Sequence, residues 1–113
     1  MTAIEQAASG FVTVVGAAEV EPGTVRVVEI DGRSLCIGHT EDGEWGAIDN
    51  VCTHDGGTLG EGELEDNAVE CPRHGGRFDL FSGRVLALPP VRPVNAYETI
   101  VTDGEVLVRL DPA

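Results

Sequence analysis

The sequence is poor in aromatic residues and in positive charge. Aromatic residues make up 4% of the 113 residues, and 7 basic residues are set against 20 acidic ones, a formal net charge of −13 at pH 7. Because nucleic-acid phosphates and anionic lipid head groups repel so acidic a chain, we expect neither nucleic acid nor a membrane as a partner. With few aromatic side chains, the core has to rest on Val, Ile, Leu and Ala, and the β-branched residues among them favour strands.

Long apolar runs and targeting signals are also missing. The longest apolar stretches are only a few residues, far short of the roughly 20 that a membrane-spanning helix needs. The segment MTAIEQAASG has neither a basic start nor an apolar stretch of the secretory kind. We therefore expect residues 1–10 to be a flexible lead-in and the protein to be cytoplasmic. Three cysteines, an odd number, argue against a disulfide scaffold.

The acidic surface has two interpretations. It keeps a protein soluble without any partner, which is the simpler one. It could instead dock on basic patches of other proteins, with electrostatic steering of the encounter. Composition favours the first and leaves the second open.

Short β-branched runs separated by turns predict an all-β domain over residues 11–113. No segment has the 3.6-residue apolar stripe of a sustained helix. Asp31-Gly32 and Asp103-Gly104 each lie between two such runs, which is the strongest short signal for a β-hairpin. The predicted outer strands are Phe11–Val15, Ala17–Glu21, Val25–Ile30, Arg33–Gly38, Trp45–Asn50, Ala96–Thr102 and Glu105–Leu110.

The middle of the chain, residues 51–94, is rich in Gly, Pro, Cys and His. Its predicted strands are brief: Ala68–Cys71, Arg77–Leu80 and Arg84–Leu86. Binding residues are concentrated in loops that a rigid scaffold holds in place. We therefore predict that this segment is an insert that carries the functional site on a β scaffold.

Two short motifs in the insert each pair a thiol with an imidazole. Cys52-Thr53-His54 and Cys71-Pro72-Arg73-His74 are separated by 16 residues. Two thiolates and two imidazoles suit tetrahedral zinc or an iron–sulfur cluster. A Cys2His2 zinc finger takes both Cys from one element, whereas here each loop supplies one Cys and one His. That pairing favours a [2Fe–2S] cluster with two Cys on one iron and two His on the other, and leaves structural zinc as the alternative.

Glycines follow both motifs, and a proline-containing segment follows the second. Gly56, Gly57, Gly75 and Gly76 permit tight turns and close approach of backbone N–H groups to a bound group.

The pattern C-x-H-x16-C-x2-H resembles that of the Rieske proteins. Cys71–Gly83, CPRHGGRFDLFSG, is similar to their second cluster-binding loop, and Leu88-Pro89-Pro90 is similar to the third loop, which covers the cluster. The resemblance extends from about Phe11 to Leu110.

The resemblance implies a fold and a set of ligands. The fold is an antiparallel β-sandwich of the Rieske type with a cluster-binding subdomain carried on two loops. Cys52 and Cys71 would hold the buried iron. His54 and His74 would hold the outer iron, with their free ring nitrogens towards solvent.

Four positions at which the chain departs from the family pattern indicate which kind of Rieske protein it resembles. Rieske subunits of respiratory cytochrome complexes have an extra Cys in each loop, where this chain has Gly57 and Arg73. They also have a Ser and a Tyr that donate hydrogen bonds to the cluster, where this chain has Gly76 and Phe78. Fewer hydrogen bonds stabilise the reduced cluster less, so we expect a reduction potential near the low end of the Rieske range, about −150 mV. The profile resembles the ferredoxin components of bacterial aromatic-ring dioxygenases.

That resemblance implies a one-electron carrier without catalytic residues, which takes electrons from a flavin-containing reductase and passes them to a terminal Rieske oxygenase. The alternatives are a small Rieske subunit of a larger reductase, such as an assimilatory nitrite reductase, and a structural zinc module. A complete oxygenase would need a further 2-His-1-carboxylate iron site. Only His39 is left over, and the chain is too short for a second domain.

Four other residues need an interpretation. Cys36 lies in an alternating strand and is predicted to be a small buried hydrophobe. His39 is predicted to be at the surface or hydrogen-bonded, and Trp45 to belong to the core or to shield the cluster. Asp79 is predicted to fix its loop by accepting backbone N–H bonds.

Overall fold

The computed structural model describes residues 10–51, 59–60, 62–72, 75–88 and 92–110. The predicted lead-in therefore lies outside the described residues, apart from Gly10. No helix in the described ranges is long and apolar enough to cross a membrane. The strands are β1 (Phe11–Gly16), β2 (Thr24–Ile30), β3 (Arg33–His39), β4 (Trp45–Asp49), β5 (Leu64–Glu65), β6 (Ala68–Glu70), β7 (Arg77–Asp79), β8 (Val85–Ala87), β9 (Ala96–Tyr97), β10 (Thr99–Thr102) and β11 (Glu105–Arg109).

The strands form three antiparallel sheets. The terminal sheet has the order β1-β11-β10, the central sheet β2-β3-β4-β9, and the insert sheet β5-β6-β7-β8. Every strand pair is antiparallel. The predicted all-β fold is confirmed, and the third sheet is formed by the insert.

The central sheet is the middle layer of the fold. Successive side chains of a strand point to opposite faces, and in β3 Leu35 and Ile37 enter one core while Cys36 enters another. Both faces of the sheet are therefore covered, one by the terminal sheet and the other by the insert sheet. This explains why Leu35–Gly38 is buried at every position.

The two cores share no residue. The terminal core lies between the terminal and central sheets and consists of Val15, Val20, Leu35, Ile37, Ala47, Tyr97, Val106 and Val108. The insert core lies between the central and insert sheets and consists of Cys36, Ile48, Leu59, Val69, Cys71, Phe78, Leu80 and Val94.

Both predicted hairpins are present with the predicted turns. Ile30 pairs with Arg33, and the turn residues Asp31 and Gly32 have φ of 52° and 77°. The second hairpin repeats this geometry, with φ of 52° at Asp103 and 76° at Gly104. Two successive residues with positive φ define a type I′ turn, whose twist matches that of the flanking strands.

The predicted strand Ala17–Glu21 is wrong. Ala17–Glu19 is a single turn of 3-10 helix, and Val20 is buried in the terminal core. The Glu19 carboxylate accepts a hydrogen bond from the backbone N–H of Gly16 at 3.0 Å. This local bond stabilises the start of the turn in place of an extended strand.

The predicted strand Ala96–Thr102 is in fact two strands in different sheets. β9 pairs with β4 in the central sheet, whereas β10 pairs with β11 in the terminal sheet. Glu98 lies between them, and its carbonyl accepts a bond from the N–H of Arg109. The chain changes sheets here, which apolar alternation alone does not reveal. The sequence also gave no signal for β5, which is two residues long.

A glycine notch joins the insert sheet to the central sheet. Gly38 and Gly46 are cross-strand partners on β3 and β4, and the fully buried Leu80 lies over both. A Cβ atom at Gly38 would lie 2.6 Å from Leu80 Cδ2, and one at Gly46 would lie 2.7 Å from Leu80 Cγ and 2.8 Å from the Leu80 carbonyl oxygen. Side chains at these positions would push the two layers apart.

We predict that Gly38→Ala, whose new Cβ would collide with side-chain atoms of Leu80, destabilises the protein by about 1–3 kcal/mol, as overpacking of a tight core does. Leu80→Ala alone should cost about 2–5 kcal/mol through the cavity it leaves. Because the truncated side chain relieves the collision, the double variant should be more stable than the sum of the single effects by at least about 1 kcal/mol. Urea denaturation of the four proteins measures this, and simple additivity would contradict the notch.

Candidate metal centre

The first loop of the insert leaves β4 at Asn50 and returns at Leu59. Asn50 is 8% exposed, and its Oδ1 accepts a hydrogen bond from the N–H of Gly60 at 2.6 Å. Its Nδ2 donates to Ser34 Oγ at 3.1 Å, and its backbone N–H donates to the Ser34 carbonyl at 3.0 Å. One side chain thus ties both ends of the loop to the start of β3.

The return segment of this loop packs tightly on the strand that precedes the second motif. Leu59 is fully buried in the insert core, together with Cys71. Gly62 approaches β6 so closely that a Cβ atom there would lie 1.7 Å from the carbonyl oxygen of Glu70. Only glycine fits at this position. The first loop therefore ends beside the start of the second.

The second loop connects β6 to β7, and the described residues at its two ends are hydrogen-bonded to each other. The N–H of Cys71 donates to the Gly76 carbonyl at 2.6 Å, and the N–H of Gly75 donates to the Cys71 carbonyl at 3.0 Å. Gly75 has φ of 73°, a conformation that other residues rarely adopt. The backbone around Cys71 is therefore fixed on both sides, and the residue itself is fully buried.

The third loop is closed at its base by Gly83 and Val94. The N–H of Val94 donates to the Gly83 carbonyl at 2.9 Å, and a Cβ atom at Gly83 would lie 2.0 Å from the Val94 carbonyl oxygen. Just beyond, the Asp49 N–H donates to the Asn95 carbonyl at 3.1 Å, and the Asn95 N–H donates to the Asp49 carboxylate at 3.2 Å.

Asp49 also accepts a hydrogen bond from the Tyr97 hydroxyl at 2.5 Å. Burial, and next to it this hydrogen bond, raises the pKa of Tyr97 to about 12. Tyr97 is therefore a neutral donor at physiological pH. Asp49 is the last residue of β4, and Asn50 follows it. Together they hold the bases of the first and third loops.

Polar contacts of Arg77 and Asp79 brace the insert sheet. The Arg77 guanidinium contacts Glu70 at 3.0 Å and Glu65 at 3.2 Å, so it links β7 to β6 and β5. The Asp79 carboxylate accepts bonds from the N–H of Ser82 at 2.9 Å and from its hydroxyl at 2.6 Å. The predicted structural role of Asp79 is confirmed.

Of the four predicted ligands, the structure describes Cys71. Cys52, His54 and His74 lie outside the described residues, as do Gly56, Gly57, Arg73, Pro89 and Pro90. Within the described ranges, no three His, Cys, Asp or Glu side chains come together to hold a metal ion. The complete ligand set therefore stays a prediction.

The three other singled-out residues are scaffold residues. Cys36 is fully buried in the insert core, and burial raises the pKa of its thiol to about 12, so it stays protonated and is a poor metal ligand. The His39 ring stacks on Trp45 with 3.9 Å between centroids, and its Nδ1–H donates to the Val20 carbonyl at 2.9 Å. Trp45 packs against the terminal core, so the first of its two predicted roles, membership of the core, is confirmed.

Residues 10–98 match the model of the Rieske [2Fe–2S] domain. The chain belongs to the Rieske [2Fe–2S] family. Among characterised relatives, the ferredoxin component of the naphthalene 1,2-dioxygenase system of Pseudomonas aeruginosa is 36% identical over 92 residues, which is 81% of this chain and 88% of that protein.

Solved structures of Rieske ferredoxins have the same fold. The ferredoxin of carbazole 1,9a-dioxygenase from Nocardioides aromaticivorans IC177 is 35% identical with a TM-score of 0.81, over 87% of this chain and 95% of that one. A chain from a complex of reduced oxygenase and oxidised ferredoxin in carbazole 1,9a-dioxygenase is 31% identical with a TM-score of 0.82, over 91% and 95%. A nitrite reductase small subunit from Mycobacterium tuberculosis is less similar, at 26% identity and a TM-score of 0.78, over 87% and 92%.

The described part of the site fits a Rieske [2Fe–2S] cluster. Cys71 lies fully buried at the start of a turn whose neighbouring N–H groups are fixed, as a ligand to an inner iron requires. Gly76 and Phe78, the positions that lack a hydroxyl donor, are both buried, and Phe78 shares the insert core with Cys71. Sequence reasoning missed Asp49 and Asn50. The one signal for them was two polar residues at the end of an apolar strand, immediately before the first motif.

We predict that Cys71→Ala abolishes cluster binding, because it removes a predicted thiolate ligand, whereas Cys36→Ala retains it. Each of these two variants removes one buried thiol from the insert core, so they form a matched pair. Iron and acid-labile sulfide contents, with the visible spectrum, measure the outcome. Cys36→Ala should cost only about 1 kcal/mol of stability, as the loss of a small buried group does. Retention of the full spectrum by Cys71→Ala would show that Cys71 is not a ligand.

Proposed function

We propose that this protein is a one-electron carrier that takes electrons from a flavin-containing reductase and delivers them to a terminal Rieske oxygenase, in the oxidation of an aromatic compound. When bound, its [2Fe–2S] cluster takes up and releases one electron. The carrier role is supported by how much of each relative's length this chain covers. The chain covers 88% of a ferredoxin component and 95% of two ferredoxin-sized chains, so those relatives carry little besides this domain.

We further propose that Cys52 and Cys71 hold the inner iron and that His54 and His74 hold the outer one. The complete burial of Cys71 and the fixed turn around it support the inner position. Cys36, the third thiol, stays protonated within the apolar core and is not a competitor. The His39 ring is held by Trp45 and by the Val20 carbonyl, and Trp45 packs against the terminal core rather than the insert core that contains Cys71.

A reconstituted electron-transfer chain tests the proposal. NADH, a flavin reductase of an aromatic dioxygenase system, this protein and a terminal Rieske oxygenase are combined, and product formation is followed with and without each component. We expect turnover to require this protein, and Cys71→Ala to support none. If reductase and oxygenase react equally well without it, or if it stays oxidised throughout, the carrier role is wrong.

A permanent subunit of a nitrite reductase is the second candidate, supported by the likeness to the small subunit from Mycobacterium tuberculosis. The lower identity, 26% against 36% for the naphthalene system ferredoxin, makes it the weaker one. Co-purification from the native source distinguishes the two. A carrier elutes alone, whereas a subunit elutes with a larger reductase.

The reduction potential of the cluster depends on the groups around it. Because Gly76 and Phe78 offer no hydroxyl to the cluster, and because the reduced state adds negative charge to an acidic protein, we expect a midpoint near the low end of the Rieske range, about −150 mV. Spectroelectrochemical titration at neutral pH measures it. A midpoint above roughly +100 mV would contradict the assignment to the low-potential subtype.

Charge is distributed unevenly along this acidic chain. Residues 71–94 contain four arginines and a single acidic residue, Asp79, whereas the other 19 acidic residues share the rest of the chain with three arginines. The segment with the second and third loops is therefore the least acidic part of the molecule. The predicted docking of an acidic surface on basic partners stays untested, and this segment offers a different surface.

We infer that partners dock on a face formed by Arg84, Leu86 and Leu88, which lie in and beside β8 at the edge of the insert sheet. Leu86 is 52% exposed and Leu88 72%, high values for large apolar side chains. Within the described part of the chain, no carboxylate pairs with the exposed Arg84, whereas Arg26, Arg77 and Arg109 each contact a Glu. A partner surface that is apolar and rimmed by carboxylates would complement this face.

The absence of lysine makes this face testable by carbodiimide, which joins carboxylates to amines. We predict that Arg84→Lys forms a covalent complex with the oxygenase that the wild type reduces, because the new amine meets its carboxylates. Arg26→Lys, the same change on β2 in the central sheet, is the matched control and should give no more of this complex than the wild type does. If the wild type is coupled to the oxygenase as much as Arg84→Lys is, its own carboxylates have reacted with amines of the partner. That result would instead support docking of an acidic surface on a basic partner.

A further inference from the structure

Asn50 stands where the first cluster loop leaves and rejoins the scaffold. Its side chain makes two hydrogen bonds in opposite senses, as an acceptor from the Gly60 N–H at 2.6 Å and as a donor to Ser34 Oγ at 3.1 Å. An amide side chain is suited to this because it offers both an acceptor and a donor. Asn50 is one of two polar residues among the buried described residues, the other being Thr40.

The end of the loop at Gly60 packs tightly against β2. A Cβ atom at Gly60 would lie 1.9 Å from Cγ2 of Val27, so Gly60 is pressed against β2 while its N–H is held by Asn50. The neighbouring Leu59 is fully buried in the insert core. Burial of Leu59 fixes the depth of the return segment, and the Asn50 bond fixes its distance from β4.

We propose that Asn50 is a positioning residue for the iron–sulfur site: it closes the first loop at its base and thereby sets where the proposed ligands Cys52 and His54 meet the second loop. The inference rests on the proposed ligand set. Among the described residues, Asn50 acts through the backbone of Gly60 and through Ser34. Both of these partners lie outside the two ligand motifs.

The variants separate positioning from general stability. Asn50→Ala removes both side-chain bonds. Asn50→Asp retains an acceptor for the Gly60 N–H, and the Ser34 hydroxyl can rotate to donate to the new carboxylate. Val106→Ala, in the terminal core, is the control, because it destabilises the fold on the other side of the central sheet.

The first measurement is the rate at which a chelator removes iron from the purified holoproteins. We expect Asn50→Ala to lose iron on the order of tenfold faster than the wild type, which is the low end of the effect of groups that orient metal ligands. Asn50→Asp should restore most of the retention. Val106→Ala should stay within about twofold of the wild type, because distant sites act independently. The EPR g-values of the reduced protein should shift in Asn50→Ala alone.

The second measurement does not depend on the cluster. Amide hydrogen exchange of Gly60 in the purified full-length protein should be faster in Asn50→Ala than in Val106→Ala. If Asn50→Ala and Val106→Ala lose iron at the same rate and share wild-type g-values, Asn50 is merely structural and the inference is wrong. If the wild type binds no iron, the proposed function fails, and Gly60 exchange still decides whether Asn50 closes the loop. Should Asn50→Ala not fold, Ser34→Ala, which removes one of the two bonds, takes its place.

Discussion

The central sheet has apolar side chains on both of its faces, and much of the structure follows from the need to cover them. Ile37 and Ala47 enter the terminal core, while Cys36 and Ile48, their neighbours on the same strands, enter the insert core. The terminal sheet covers one face and the insert sheet the other. The insert is therefore a structural layer of the protein, and its loops are held by the layer beneath them.

This layering accounts for where the site lies. The insert core contains Leu59 from the first loop and Cys71 from the second, so burial of apolar surface brings the two loops together. Backbone contacts then refine the arrangement, since Gly62 approaches Glu70 and the Gly83 carbonyl accepts from Val94. Asp49 and Asn50 tie these loops to the end of β4. In the described residues, hydrophobic burial brings the bases of the loops together, and a few directional hydrogen bonds fix how these bases are arranged.

Local signals in the sequence were enough to predict most of the scaffold. The type I′ hairpins at Asp31-Gly32 and Asp103-Gly104 depend on residues that tolerate positive φ, and the outer strands on β-branched runs. The break at Glu98 was missed because a strand that changes sheets keeps its apolar alternation. The 3-10 turn at Ala17–Glu19 depends on a side-chain contact with Gly16, and β5 is too short to carry a pattern. The hydrogen bonds of the Asn50 side chain join Gly60 and Ser34, which are distant in the sequence and are brought together only by the fold.

The claim that the site is a Rieske cluster with two histidine ligands is tested most directly by EPR of the dithionite-reduced protein, prepared once with natural histidine and once with 15N-labelled histidine. We expect a protein that is EPR-silent as isolated and gives a rhombic signal on reduction, with hyperfine couplings from the nitrogens of both His54 and His74 that change on labelling. The variant His39→Gln should leave those couplings unchanged. A reduced signal without nitrogen coupling, or a colourless protein that contains zinc, would contradict the account.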